Sequence, residues 1–264
     1  MNKIIQGDCL ELMKDIESKS IDMILCDLPY GTTACKWDSI IPLESLWSEY
    51  KRIIKPNGAI VLTASQPFTT KLISSNYEMF RYEWIWHKNH GGGFATAKFM
   101  PMKRHENVLV FYNTKPTYNP IFEEYSDSTK KRFKDGDSVN RWKQVSKSIN
   151  EVYNGLSYAG EQSILLDRGT YPTTVKYFKN PHNANGNRLH PTQKPTDLFE
   201  YLIKTYTNEG ELVLDNTAGS CTTAIACLNT KRNYICMEME QKYYEIGLKR
   251  VSDWHKINET NIFK

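Results

Sequence analysis

The stretch Leu212-Val213-Leu214-Asp215-Asn216-Thr217-Ala218-Gly219-Ser220-Cys221-Thr222-Thr223 decides how this chain is read. An apolar run ends on a carboxylate, as a buried parallel strand does. A turn of small residues follows, and Thr222 opens a helix that runs to Leu228. Such a turn lets a ligand approach the backbone and meet the amides at the helix N-terminus. Twenty-three residues beyond Asp215, the next strand, read over Asn233 to Met237, ends against Glu238. That is near the spacing at which an acidic residue reaches ribose hydroxyls. Taken alone, a tight strand–helix turn with incidental acids would look the same.

The units on either side repeat the alternation. Thr196 to Tyr206 reads as a helix before this strand, and Gln241 to Trp254 as a closing helix. Towards the N-terminus, Met1 to Asp8 reads as a strand and Ile21 to Cys26 as a buried one. Leu43 to Ile54 has helical spacing and is closed by the turn signal Lys55-Pro56-Asn57-Gly58. Ala59 to Ala64 is a second buried strand, Pro67 to Ser75 a helix, and Arg81 to His87 and Val108 to Tyr112 are β-branched and aromatic strands. This order predicts an α/β fold with a doubly wound, mostly parallel sheet. From Asn113 to about Asn187 no period is sustained, over a length too great for an ordinary loop. We divide the chain at 1–112, 113–187 and 188–264.

Two further motifs precede this turn in the chain. Asp27-Leu28-Pro29-Tyr30-Gly31 stands at the carboxyl end of a buried strand, the edge where open α/β sheets bind ligands. A carboxylate, a proline-fixed bend and an aromatic ring can accept hydrogen bonds in plane and stack a flat ring. His190-Pro191-Thr192-Gln193-Lys194-Pro195 sets polar donors and a cation between two prolines ahead of a helix.

Composition narrows the class. The chain has 264 residues and 30.7 kDa, with 40% hydrophobic and 24% charged residues, so rods, collagen and wholesale disorder are excluded. No apolar run approaches the ~20 residues of a membrane helix, and the start does not resemble a signal peptide. A soluble, cytoplasmic protein is expected. The net charge of +4 is uneven: Trp86 to Lys147 holds 12 Lys/Arg against 6 Asp/Glu, and the rest of the chain sums to −2. A basic middle suits a phosphate-contacting insert, although a solvated lysine-rich surface has the same composition. Lys130, Lys131, Arg132 and Lys134, with Arg141 and Lys143, mix cations with Phe133 and Trp142, which suits nucleic-acid contact. Six cysteines form no Cys-x-x-Cys pair and no zinc spacing, so reduced thiols and no metal are expected.

In their order, the three motifs resemble those of the S-adenosylmethionine-dependent amino-methyltransferases of DNA, in the β group whose catalytic segment precedes the cofactor turn. The resemblance spans nearly the whole chain and implies a Rossmann-like methyltransferase fold with an inserted target-recognition region over 113–187. By position it implies Asp27, Leu28, Pro29 and Tyr30 at the target base, with Asp27 and the Leu28 carbonyl accepting its amine. It implies Asp8 near the cofactor adenine and Glu238 on the ribose. Asp215, Thr217, Gly219, Ser220, Thr222 and Thr223 would lie against the methionine part, with His190, Gln193 and Lys194 close by and Lys194 pairing with the cofactor carboxylate. DNA is the implied partner, and a base must leave the duplex to react.

Two positions depart from the family pattern. Leu28 replaces a proline, a tolerable change because the role belongs to its carbonyl and Pro29 already biases it to extended geometry. Cys221 replaces a glycine and adds a side chain where the cofactor ordinarily approaches the backbone. The family rule, Asp or Asn first for adenine and Ser for cytosine, points to adenine N6, with cytosine N4 as the alternative. RNA and protein-glutamine methyltransferases carry related tetrapeptides but mostly in the opposite motif order. A DNA-binding relative without catalysis is the non-enzyme alternative. A homodimer and a restriction partner stay open at this level.

Overall fold

The structure, a computed structural model, describes residues 2–32, 38–134, 169–181 and 192–262. Its centre is an eight-stranded sheet in the order β1-β8-β7-β2-β3-β5-β4-β6. The strands are β1 (Lys3–Gln6), β2 (Ile21–Cys26), β3 (Ile54–Ala64), β4 (Phe80–Gly92), β5 (Lys103–Phe111), β6 (Val175–Phe178), β7 (Leu212–Asp215) and β8 (Asn233–Glu238). Among the described strands, only the β3–β5 and β4–β5 pairs are antiparallel. The helices among the described residues are α1 (Cys9–Met13), α2 (Leu43–Ile53), α3 (Phe68–Ser75), α4 (Asp127–Lys134), α5 (Thr196–Tyr206), α6 (Thr222–Asn229) and α7 (Gln241–Ile262). The doubly wound, mostly parallel sheet expected from the sequence is present.

Every residue of β2 is buried, because both faces of the strand are covered. Ile24 and Cys26 face one core with Trp47 and Tyr50 of α2 and Phe68 and Leu72 of α3. Met23 and Leu25 face the other, with Phe199 and Leu202 of α5 and Ala224 and Cys227 of α6. The alternation follows from the two-residue period of a strand. Asp22 is the one carboxylate in β2, and it is satisfied from two sides. It accepts the Leu212 N–H at 2.9 Å and pairs with Lys55 at 2.6 Å, so it fixes where β7 begins beside β2.

Several elements differ from the sequence reading. Lys55 to Gly58 lies within β3, where the register against β2 shifts between Ile21↔Ile54 and Met23↔Ala59. A Cβ on Gly58 would stand 2.8 Å from the Asp22 carbonyl, so the bulged backbone passes too close for a side chain. The β4 and β5 strands extend beyond the apolar segments into a ribbon whose end carries Gly91 to Gly93 and the turn Phe94–Thr96. Its polar and glycine-rich residues have little strand propensity and are held by pairing across the ribbon. Finally, β6 falls where no period was legible. It joins the sheet edge parallel to β4, with Ile85↔Val175 and Lys88↔Phe178, and buries only Lys176, so it lacks an alternating apolar signal.

Pro120–Thr173 forms a separate compact unit. Its described residues include a bridge between Glu123 and Thr170, a Phe122–Tyr171 ring contact and helix α4. No helix among the described residues is long and apolar enough to cross a membrane.

Candidate active site

The chain reverses direction across the sheet between β7 and β2. From β2 it proceeds to β3 on one side, and from β7 to β8 on the other. Strand ends diverge at such a switch point and leave a crevice at their carboxyl edge. Here the crevice is a cleft of about 770 Å³, within the usual range for ligand sites. Its wall includes Asp8 after β1, Asp27 and Tyr30 after β2, Gln193 and Lys194 before α5, and Glu238 at the end of β8. Residues from both ends of the sequence therefore meet here.

Asp27 sits in a dense set of donors. Its Oδ1 accepts from the hydroxyls of Tyr30, at 2.8 Å, and Thr63. Its Oδ2 accepts from Lys194 Nζ at 2.6 Å, and its main-chain carbonyl accepts from Thr217 Oγ1 at 3.1 Å, which joins the two motifs directly. The Tyr30 ring stacks on Phe68 at 5.2 Å and 24°. Burial, with the Asp27 charge next in size, pushes its phenol well above the ordinary range, so it stays neutral.

Lys194, expected at the cofactor carboxylate, is committed here to two carboxylates of the chain. Besides Asp27 it pairs with Glu106 Oε2 at 3.4 Å. Glu106 Oε1 in turn binds Lys88. Burial acts to lower Lys194, but Asp27 and Glu106 outweigh it and hold the ammonium above its ordinary value. Burial likewise acts to raise Glu106, but Lys194 and Lys88 hold it below. Cation and carboxylate side chains thus alternate along the line Lys88–Glu106–Lys194–Asp27, the arrangement that offsets the cost of burying charge.

The cofactor-type turn is held from within. Asp215 accepts from the Thr217 N–H at 3.1 Å and from the Thr223 hydroxyl, and burial raises its carboxyl to about 7. Glu238 accepts the N–H groups of Gly219 at 2.7 Å and Glu240 at 2.8 Å. Each of its oxygens keeps a lone pair for another donor. Burial raises this carboxyl too. Arg250 of α7 donates to the Ser220 carbonyl at 3.0 Å and to the Thr222 hydroxyl at 3.1 Å. Asp8 caps α1 by accepting from the Leu10 N–H at 2.8 Å.

Cys221 has φ 57°, the left-handed conformation that favours glycine. Its thiol is not part of the cleft wall. A Cβ placed on Gly247 of α7 would stand 2.4 Å from Cys221 Sγ, so the thiol fills the space that this glycine leaves. Gly247→Ala should therefore destabilise the protein by about 1–3 kcal/mol through overpacking. Adding Cys221→Gly should restore most of the loss without weakening cofactor binding. Thermal melting and calorimetry check this, and an unrepaired double variant would contradict the packing account.

Sequence reasoning missed Thr63, Lys88 and Glu106. Thr63 is a lone hydroxyl residue in an apolar strand, and that was its only signal. Glu106 and Lys88 owe their proximity to the antiparallel β4–β5 register, in which Trp86 faces Glu106. His190 and the pair Arg141 and Lys143 lie outside the described residues. Lys130 and Lys131 are exposed on α4, Lys130 within 3.0 Å of Glu124, and Arg132 and Lys134 lie on the same helix.

The sequence pattern of the N6/N4 DNA methylases matches residues 21–249. The chain belongs to this family. It is 28% identical to the Type II methyltransferase M.HpaI of Haemophilus parainfluenzae, over 94% of this chain and 74% of the relative. It is 27% identical to the DNA adenine methyltransferase YhdJ of Escherichia coli K12, over 94% and 82%. Among solved structures, the M1.HpyAVI–SAM complex superposes with a TM-score of 0.62 at 23% identity, covering 95% of this chain and 99% of that one. The cytosine-N4-specific PvuII DNA methyltransferase gives 0.63 at 15% identity, covering 94% and 85%. These neighbours establish the Rossmann-like methyltransferase fold, and the family establishes a DNA methyltransferase that uses S-adenosylmethionine.

The methyltransferase has a donor and acceptor set that fits this cofactor. Asp8 and Glu238 offer carboxylates at two points of the cleft, and the turn exposes backbone at Gly219. Asn216 Nδ2, on the same wall, is buried without a hydrogen-bond partner among the described residues.

Proposed function

We propose that this methyltransferase acts on the N6 amine of adenine in DNA. The observation that carries the reading is the meeting of Asp27, the Leu28 carbonyl and Tyr30 with the Asp215 turn and Glu238 in one cleft. Bound S-adenosylmethionine supplies an electrophilic methyl group on a sulfonium sulfur. An exocyclic amine is a poor nucleophile because its lone pair is delocalised into the ring. Asp27 and the Leu28 carbonyl accept its two N–H bonds and favour a tetrahedral nitrogen, which frees the lone pair. Tyr30 packs on the base face. With the lone pair freed, the nitrogen would take the methyl group that the bound cofactor supplies, and the proton it then loses would leave through its hydrogen bond to Asp27 and on to solvent. Positioning and electrostatics supply the acceleration.

Asp8, His190, Gln193, Asp215, Thr217, Gly219, Ser220, Thr222, Thr223 and Glu238 are assigned to the cofactor. Residues 1–112 and 188–264 form the catalytic and cofactor halves, and 113–187 contains the target-recognition region. The Asp that opens the tetrapeptide supports adenine, as does similarity to YhdJ, a relative named for adenine. Sequencing modified bases in DNA from cells expressing the chain tests this. N6-methyladenine at a defined site is expected, and N4-methylcytosine would overturn the assignment of the base.

The basic middle is assigned to the DNA backbone. Neutralising Lys130, Lys131, Arg132 and Lys134 together should weaken binding to all sequences. It should also flatten the salt dependence by up to ~0.9 in slope per lost phosphate contact. Cofactor affinity should persist. An unchanged salt slope would move the contact elsewhere. The β4–β5 ribbon is one such place, since its end exposes Phe94 and Phe99 beside Lys98 and Lys103.

A further inference from the structure

The Lys194 ammonium stands where an amine bound to Asp27 would stand. It donates to Asp27 Oδ2 at 2.6 Å and lies over the Tyr30 ring, 5.5 Å from its centroid. It is a nitrogen donor on the same carboxylate and beside the same ring that the target base needs. Lys194 is 6% exposed, so a departing ammonium requires another anion within reach. Glu106 provides it. Its Oε2 lies 3.4 Å from Nζ and is buried without a hydrogen bond, while Lys88 occupies Oε1. The motion from one carboxylate to the other is therefore short and keeps the ammonium paired throughout.

We propose that Lys194 holds the place of the target amine at Asp27, and that Glu106 is the positioning residue to which the ammonium withdraws as the base enters. The inference rests on the methyltransferase reading of the cleft. Before the base arrives, the placeholder keeps Asp27 paired and aimed. When the base is present, Glu106 makes the exchange nearly even in charge, so little of the DNA-binding energy is spent on it. A neutral residue at 106 would leave the ammonium on Asp27 and reduce the fraction of protein able to accept a base. A reduced competent fraction weakens apparent substrate affinity by the same factor and leaves the saturated rate alone.

The test is steady-state methyl transfer to duplex DNA by the full chain. Glu106→Gln should raise KM for DNA about tenfold, with kcat within about twofold and cofactor affinity unchanged. A merely structural role would instead lower kcat or the melting temperature. On a Lys194→Met background, adding Glu106→Gln should change KM by less than about twofold, since no ammonium remains to be received. Independent losses would multiply, as they do for uncoupled sites. If Glu106→Gln fails to fold, Glu106→Ala carries the same cycle. An unchanged KM in the single variant, or multiplicative losses in the double, would overturn the role of Glu106. Absence of methyl transfer by the parent chain would instead strike the reading of the cleft, and this proposal with it.

Discussion

Asp27→Ala is expected to lower kcat by about 10²–10³, the scale on which one preorganised polar group acts in a transition state. On the proposed mechanism the variant removes the carboxylate that accepts from the target amine, and no equal acceptor stands nearby. The neutral hydroxyls of Thr63 and Tyr30 are weaker acceptors than a carboxylate, and Glu106 is engaged by Lys88 and Lys194. The fold should tolerate the change, because Lys194 keeps Glu106 as a partner and the Asp27 carbonyl still accepts from Thr217. Cofactor affinity should change little, since the Glu238 site belongs to other strands. Asp27→Asn, which keeps one carbonyl oxygen, should fall between parent and alanine. The measurement is single-turnover methyl transfer at saturating DNA and cofactor. A rate within fivefold of the parent would remove Asp27 from the chemistry.

Glu238→Ala should weaken S-adenosylmethionine binding by about 1.5–3 kcal/mol, the value of a charge-assisted hydrogen bond. Two causes act together. On the proposed cofactor placement the ribose hydroxyls would lose their acceptor, and the N–H groups of Gly219 and Glu240 would lose theirs, which loosens the turn. Glu238→Gln should lose less, because its carbonyl oxygen can still serve one amide. The pH dependence has a definite sign. Burial raises the Glu238 carboxyl above its ordinary value, and hydroxyl donors need it ionised. Affinity should therefore be full at neutral and higher pH and fall as acid protonates the group. Calorimetry across pH checks both statements, and an affinity indifferent to Glu238→Ala would place the ribose elsewhere.

Much of this site was legible before any tertiary structure. The turn from Asp215 to Thr223 and the tetrapeptide from Asp27 to Tyr30 each follow a short buried strand. A strand of that type must emerge at the carboxyl edge of a parallel sheet, so its terminal residues are placed by local rules alone. The effect of Cys221 was not legible. A side chain in a glycine position reads as an obstruction, and only the packing against Gly247 reveals that it points into the protein.

The alternating strand–helix order, the two buried strand ends and the carboxylates that close them follow from residue order alone, because they depend on periodicity and on spacing within one or two elements. The basic middle of the chain is likewise plain in the residues. Folding in three dimensions was needed to bring Lys194 to Asp27, to set Glu106 and Lys88 in a line of alternating charge, and to add β6 to the sheet. Those partners lie far apart in the chain, carry no periodic signal of their own, and meet through antiparallel pairing and the shared burial of opposite charges. A buried charge states its need for a counter-charge, and the fold chooses which one it finds.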